Sequence, residues 1–166
     1  MEKSIYIMVV EDEAEVLNSI VRDIESFESK FHIEMADTAE EADKIIEDIL
    51  AEGDQIGLIL CDHVLPGKNG VDLLVELQKD EKTQGIKKVL ITGQAGLEDT
   101  VKAVNKADLK HYIEKPWKKA DLVDTCRRLL TDYVIENRVN VMPYMDVLDA
   151  ERLADHLRKN KDLTDR

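Results

Sequence analysis

A doubly wound α/β domain built on a five-stranded parallel sheet is predicted by three observations. Five short apolar runs recur along the chain, stretches with helical spacing of apolar residues separate them, and residues able to do chemistry follow four of the runs. Right-handed crossovers return successive strands in one direction, so helices cover both faces and all strands end at one edge.

Ser4 to Val10 reads as the first strand, and Glu13 to Phe27 follows with Val16, Leu17, Ile20, Val21 and Ile24 on one helical face. Phe31 to Ala36 supplies a second strand. Thr38 and Glu41 have the spacing of a capping box, which opens a helix running to Leu50 with Ala42, Ile45, Ile46 and Ile49 as its buried stripe. Ile56 to Cys61 makes the third strand, Gly70 to about Lys82 a third helix, and Lys88 to Thr92 a short fourth strand. Leu97 to Lys106 is a weaker helical pattern. Lys110 to Lys115 forms the fifth strand, and after Pro116 a last helix carries Leu122, Val123, Cys126, Leu129, Leu130 and Tyr133.

The 166 residues suffice for one core without staples, and the two cysteines, Cys61 and Cys126, each fall where a small buried hydrophobe belongs. Such usage fits a reducing cytosol, and the sequence shows neither a leader pattern nor a run of membrane-spanning length, so a cytoplasmic location is expected. Lys and Arg number 23 against 36 Asp and Glu, and the net charge of -13 disfavours direct binding to nucleic acid or to an anionic membrane.

Ligands of open parallel sheets collect beyond the carboxyl ends of the strands. There the sequence puts Glu11, Asp12 and Glu13 after strand one, Asp62 after strand three, Thr92 at the end of strand four and Lys115 at the end of strand five. An aspartate after a strand is, taken alone, more often a turn residue than a reactive group. Gathered carboxylates repel, and the remedies are a hard cation, a raised pKa or a paired base. Magnesium fits through Asp12 and Asp62, because it takes one or two carboxylates and keeps its remaining positions for water and phosphate oxygens. A phosphoryl group would then be neutralised by Lys115, hydrogen-bonded by Thr92 and attacked by Asp62.

The segment Glu11-Asp12, the run Asp62 to Gly70 with Pro66-Gly67, Ile91-Thr92-Gly93, and Tyr112-Ile-Glu-Lys115-Pro116-Trp117 together resemble the receiver domain of two-component response regulators. The likeness covers about residues 4 to 132. It implies a sheet in the flavodoxin-like order 2-1-3-4-5 and a phosphoacceptor at Asp62, charged from a phosphohistidine on a sensor histidine kinase or histidine phosphotransfer protein. It further implies magnesium held by Asp12 directly, by Glu11 through water, by Asp62 and by the backbone carbonyl of Val64. Thr92 and Lys115 would hold the phosphoryl oxygens, Thr92 and Tyr112 would form the switch, and the bond before Pro116 would be cis. His63 is expected to be structural or exposed, and Trp117 to cover the start of the last helix.

Residues 1–132 are thus expected to form the receiver and 133–166 a helical extension or linker with no separate effector domain. Beyond a break at Pro143, Asp146 to about Asn160 is amphipathic, with Val147, Ala150, Leu153, Ala154 and Leu157 on one side. That side is expected to pack back on the receiver, on a second copy in a homodimer or on sequence absent from this chain, the alternative being a mobile linker. The output partner is unnamed. Two rival functions stand beside the switch. A phosphorylation-independent binding module would be marked by loss of the aspartate or lysine, both of which are present. An aspartate-nucleophile phosphatase wants a second carboxylate two residues after Asp62, where Val64 stands.

Overall fold

The computed structural model describes residues 3–93, 105–106 and 111–164. Strand β1 (Ile5–Val10) is apolar and almost wholly buried, and β3 (Gln55–Asp62) and β4 (Lys87–Thr92) are buried just as deeply, with apolar centres and polar residues only at their ends. Strands covered on both faces need no polar alternation. The two outer strands, β2 (His32–Ala36) and β5 (His111–Glu114), leave part of their length in solvent. All pairings are parallel and the order is β2-β1-β3-β4-β5, the expected doubly wound arrangement.

Because successive strand residues face opposite ways, the sheet feeds two cores. Ile7, Val9, Leu58, Leu60, Val89 and Ile91 pack with α1 (Ala14–Asp23) and α4 (Lys119–Glu136), which contributes Leu122, Cys126, Leu129 and Leu130. Met8, Val10, Ile59, Cys61 and Leu90 pack on the other side with α2 (Ala39–Ala51) and α3 (Gly70–Lys79). The register pairs Val10 with Cys61, Asp62 with Ile91 and Thr92 with Glu114, so the chemistry-bearing strand ends share one edge.

Local chemistry starts the helices where the sequence indicates. The Thr38 side chain accepts from the Glu41 N–H at 3.0 Å, and the Glu41 carboxylate takes the Asp37 N–H at 3.3 Å, one residue before the usual reciprocal bond. Asn69 opens α3 by accepting from the Asp72 N–H at 2.8 Å.

Several boundaries differ from expectation. The first helix stops at Asp23, and Glu25–Ser29 winds as a tighter 3₁₀ turn. Three residues per turn re-aim the chain, and both Phe27 and Phe31 reach the core. Strand β3 continues one residue further to include Asp62, held by its pairing to Ile91. Helix α3 ends at Lys79, because the Thr83 and Gln84 N–H groups fold back onto the Asp80 carbonyl. The helix expected over 97 to 106 lies outside the described residues apart from Asn105 and Lys106, which are helical.

Helix α4 continues to Glu136, and the chain turns at Arg138 with φ 55. A second 3₁₀ turn, Met142–Tyr144, precedes α5 (Ala150–Thr164). The last helix begins four residues later than its apolar pattern suggested, since Asp149 accepts from the Arg152 N–H at 3.2 Å and sets the start there. Tyr144 stacks on Phe31 with ring centroids 5.2 Å apart, and Val141, Leu148 and Leu153 are buried in the α1/α4 core. The Asp149 N–H reaches the Thr131 hydroxyl at 3.2 Å and Arg152 pairs with Asp132 at 2.5 Å. Of the fates left open for the amphipathic side, packing on the preceding fold is the one seen through Leu153. Leu153→Ala is accordingly expected to cost about 3 kcal/mol in urea unfolding, as for a buried leucine. A change below about 0.5 kcal/mol, the size seen at surface sites, would mean the extension is not part of the cooperative unit.

Candidate functional site at the carboxyl edge of the sheet

Each strand exit orients its polar residue through the alternation of the backbone. Glu11 turns inward and is fully buried, while its neighbour Asp12 is exposed. Asp62 at the end of β3 is 6 % exposed. Ligand oxygens of Glu11, Asp12 and Asp62 all lie within 4.8 Å of one another. Lys115, the residue after β5, closes the group: its Nζ donates to Glu11 Oε1 at 2.6 Å and to Asp62 Oδ1 at 3.2 Å. The peptide bond that follows, Lys115-Pro116, is cis as expected.

The electrostatics follow from this packing. Burial alone would lower the Lys115 pKa, but the hydrogen bond to Glu11 and the Asp62 charge outweigh it and hold the ammonium above its ordinary value. Asp12 titrates above the usual carboxylate range because of partial desolvation and a hydrogen bond shared with Glu11. Three carboxylates against one ammonium leave two formal negative charges in the cluster. Hard oxygen donors with that residual charge, one of them open to solvent, fit a small divalent cation that retains water ligands.

The remaining predicted residues surround this cluster. Thr92 is buried, and its carbonyl accepts the Lys115 N–H at 2.8 Å, tying the ends of β4 and β5 together. Val64 sits in the loop after β3 with its side chain 72 % exposed. Tyr112 is 44 % exposed in β5 and opposite Leu90 in the register. His63 is buried, with its N–H on the Ile91 carbonyl at 2.9 Å, which fits the structural reading. Trp117 packs beside the start of α4 and donates to Asp23 at 2.9 Å.

Two contacts around the connection between β3 and α3 could not be read from the sequence. Gly70 lies so close to the end of β3 that a Cβ there would fall 1.9 Å from the Asp62 carbonyl oxygen. Lys68 ties the loop to both neighbouring helices, its Nζ donating to Asp43 and to Glu76 at 2.5 Å each. The one signal for the second was the spacing of Glu40 and Asp43, three apart on one face of α2, and it acquires meaning only once the loop is known to lie against them.

The strand order and the carboxylates at the strand ends define the class: a doubly wound α/β domain with an acidic site where its central strands finish. The chain belongs to the response regulator receiver domain family, whose pattern matches residues 7–127. It is similar to the hydrogenase transcriptional regulatory protein HoxA of Cupriavidus necator, 31% identical over 127 residues that cover 76% of this chain. The chain spans 24% of that protein's length. Chemotaxis protein CheY of Halobacterium salinarum is 29% identical over 120 residues, 72% of this chain and 92% of CheY. Among solved structures, a CheY-like receiver domain from Methanospirillum hungatei superposes with a TM-score of 0.69 at 30% identity, covering 81% of this chain and 99% of that one. Receiver domains are the signalling switches of two-component systems, and no helix among the described residues is long and apolar enough to cross a membrane.

Proposed function

We propose that this receiver accepts a phosphoryl group on Asp62 from a phosphohistidine donor, a sensor histidine kinase or a histidine phosphotransfer protein, in the presence of magnesium. The observation that carries the reading is Lys115 bridging Glu11 and Asp62 beside the solvent-open Asp12. A carboxylate oxygen of Asp62 attacks phosphorus, and an O–P bond forms as the N–P bond to the donor imidazole breaks. The electron pair leaves with the imidazole nitrogen, which takes up a proton. Asp12, Asp62 and the Val64 carbonyl would hold magnesium, with Glu11 acting through water. When bound, magnesium supplies positive charge to the phosphoryl oxygens. Lys115 follows the charge, exchanging its 3.2 Å contact with Asp62 for a phosphoryl oxygen, and Thr92 donates its hydroxyl to another.

Thr92 and Tyr112 form the switch in this reading. The ring, now 44 % exposed, turns inward when Thr92 is drawn to the phosphoryl group. Residues 133–166 act as a helical extension of the receiver, and the output is interaction with a partner or self-association, in the cytoplasm. The domain itself is a phosphoacceptor switch whose only chemistry is its own phosphorylation and dephosphorylation.

Intact mass after incubation with acetyl phosphate and magnesium tests this. One phosphoryl adduct is expected on the wild type and none on Asp62→Asn. An adduct that persists in the variant, or absence of any adduct with small-molecule and phosphohistidine donors alike, would overturn the proposal.

A further inference from the structure

In the phosphoacceptor reading the loop from His63 to Asn69 presents the Val64 carbonyl beside Asp62; its start is fixed to the sheet and its end closes back on that start. The His63 N–H is on the Ile91 carbonyl at 2.9 Å, and the Gly70 N–H returns to the His63 carbonyl at 2.9 Å. The middle of the loop is held from outside the sheet. The Lys68 N–H donates to Glu40 Oε1 at 3.2 Å, and its Nζ reaches Asp43 on α2 and Glu76 on α3 at 2.5 Å each. Gly67 makes the approach possible: its φ is +76, and a Cβ there would stand 3.1 Å from Glu40 Oε1.

Resting on the phosphoacceptor reading above, we propose that Lys68 is a positioning residue for the phosphorylation site, latching the β3–α3 loop so that its backbone is set for magnesium before the ion arrives. Three carboxylates, Glu40, Asp43 and Glu76, converge on this one ammonium and one N–H. Without the cation they would repel one another across the loop and release it. Partly exposed ion pairs contribute little to global stability, so the effect belongs in the order of the loop and the affinity for the ion. Groups that orient a metal ligand without touching the metal have effects of that kind.

Amide spectra of the ¹⁵N-labelled full chain, titrated with magnesium chloride, provide the test. Lys68→Met is expected to raise the magnesium Kd about tenfold and to speed hydrogen exchange at the Lys68 and Gly70 amides, with the urea midpoint near that of the wild type. Lys68→Arg, which can reach both carboxylates, is expected to restore affinity and protection. A Met variant that binds magnesium within twofold of the wild type, or exchanges these amides at the wild-type rate, would overturn the latch. Wild-type protein with no magnesium-dependent shifts around Asp12 and Asp62 would instead sink the phosphoacceptor reading, and the exchange comparison would still decide whether Lys68 holds the loop.

Discussion

Lys115→Met is expected to destabilise the protein by about 3 kcal/mol at neutral pH, the lower end of the loss on removing the partner of a buried charge, because Glu11 is buried while the Lys115 side chain keeps 20 % exposure. Glu11 is fully buried and receives its 2.6 Å bond from this ammonium, and Asp62 loses its contact at the same time. The pH dependence has a definite sign. In the wild type the Lys115 pKa is raised on folding, so its contribution is complete below the ordinary lysine value and is lost only as pH rises through the higher folded value. Lowering pH from 8 to 5 therefore leaves that contribution untouched. The variant is different, because an uncompensated buried carboxylate escapes its penalty by taking a proton. Its deficit should shrink as pH falls, and urea unfolding of both proteins at several pH values reads this directly. A deficit independent of pH, or one below about 1 kcal/mol, would mean that Glu11 is accommodated without the lysine.

Gly70→Ala is the second change with a large expected effect, about 3 kcal/mol, the upper part of the range for overpacking. The added methyl would meet the Asp62 carbonyl oxygen at 1.9 Å and its carbon at 2.9 Å, which are backbone atoms of a central strand. No flexible side chain can yield. Either the first turn of α3 moves away or the end of β3 is displaced, and in both cases Asp62 leaves its place beside Lys115. The variant should lose stability in urea and form the acetyl phosphate adduct far more slowly than wild type. Gly93→Ala is the control, since among the described residues a Cβ there meets nothing within 4 Å. A Gly70→Ala protein as stable as that control would show that the helix start adjusts freely.

The central strands were legible because burial on both faces leaves a continuous apolar run, as in Ile56 to Cys61. The ends of β1 and β3 were legible for the same reason, since the first charged residue, Glu11 or Asp62, closes the apolar run, and in a parallel sheet strand ends share an edge. The sequence therefore brought Glu11, Asp12, Asp62, Thr92 and Lys115 into one neighbourhood. It did not reveal that Lys115 lies nearer Glu11 than Asp62, because a difference between 2.6 and 3.2 Å depends on side-chain packing and not on spacing. The 3₁₀ turn at Glu25–Ser29 was hidden inside a helical periodicity that fits either winding for one turn. The Lys68 network was hidden by distance along the chain, its hydrogen bond to Glu40 spanning 28 residues. The extension's destination was equally hidden, because an amphipathic stripe states that a face must be covered without stating by what.

The seating of α5 has a mechanical consequence. Its first turn is fastened to α4 through Leu153 and the Arg152–Asp132 pair, whereas beyond it residues 155 and 157–161 are exposed. A helix of 15 residues is about 22 Å long. With one end fastened, a tilt of about 10° about that end would swing the far end by about 4 Å at that length. A small rotation at the fastened end is thus magnified along the helix into a displacement several times larger than the one that caused it.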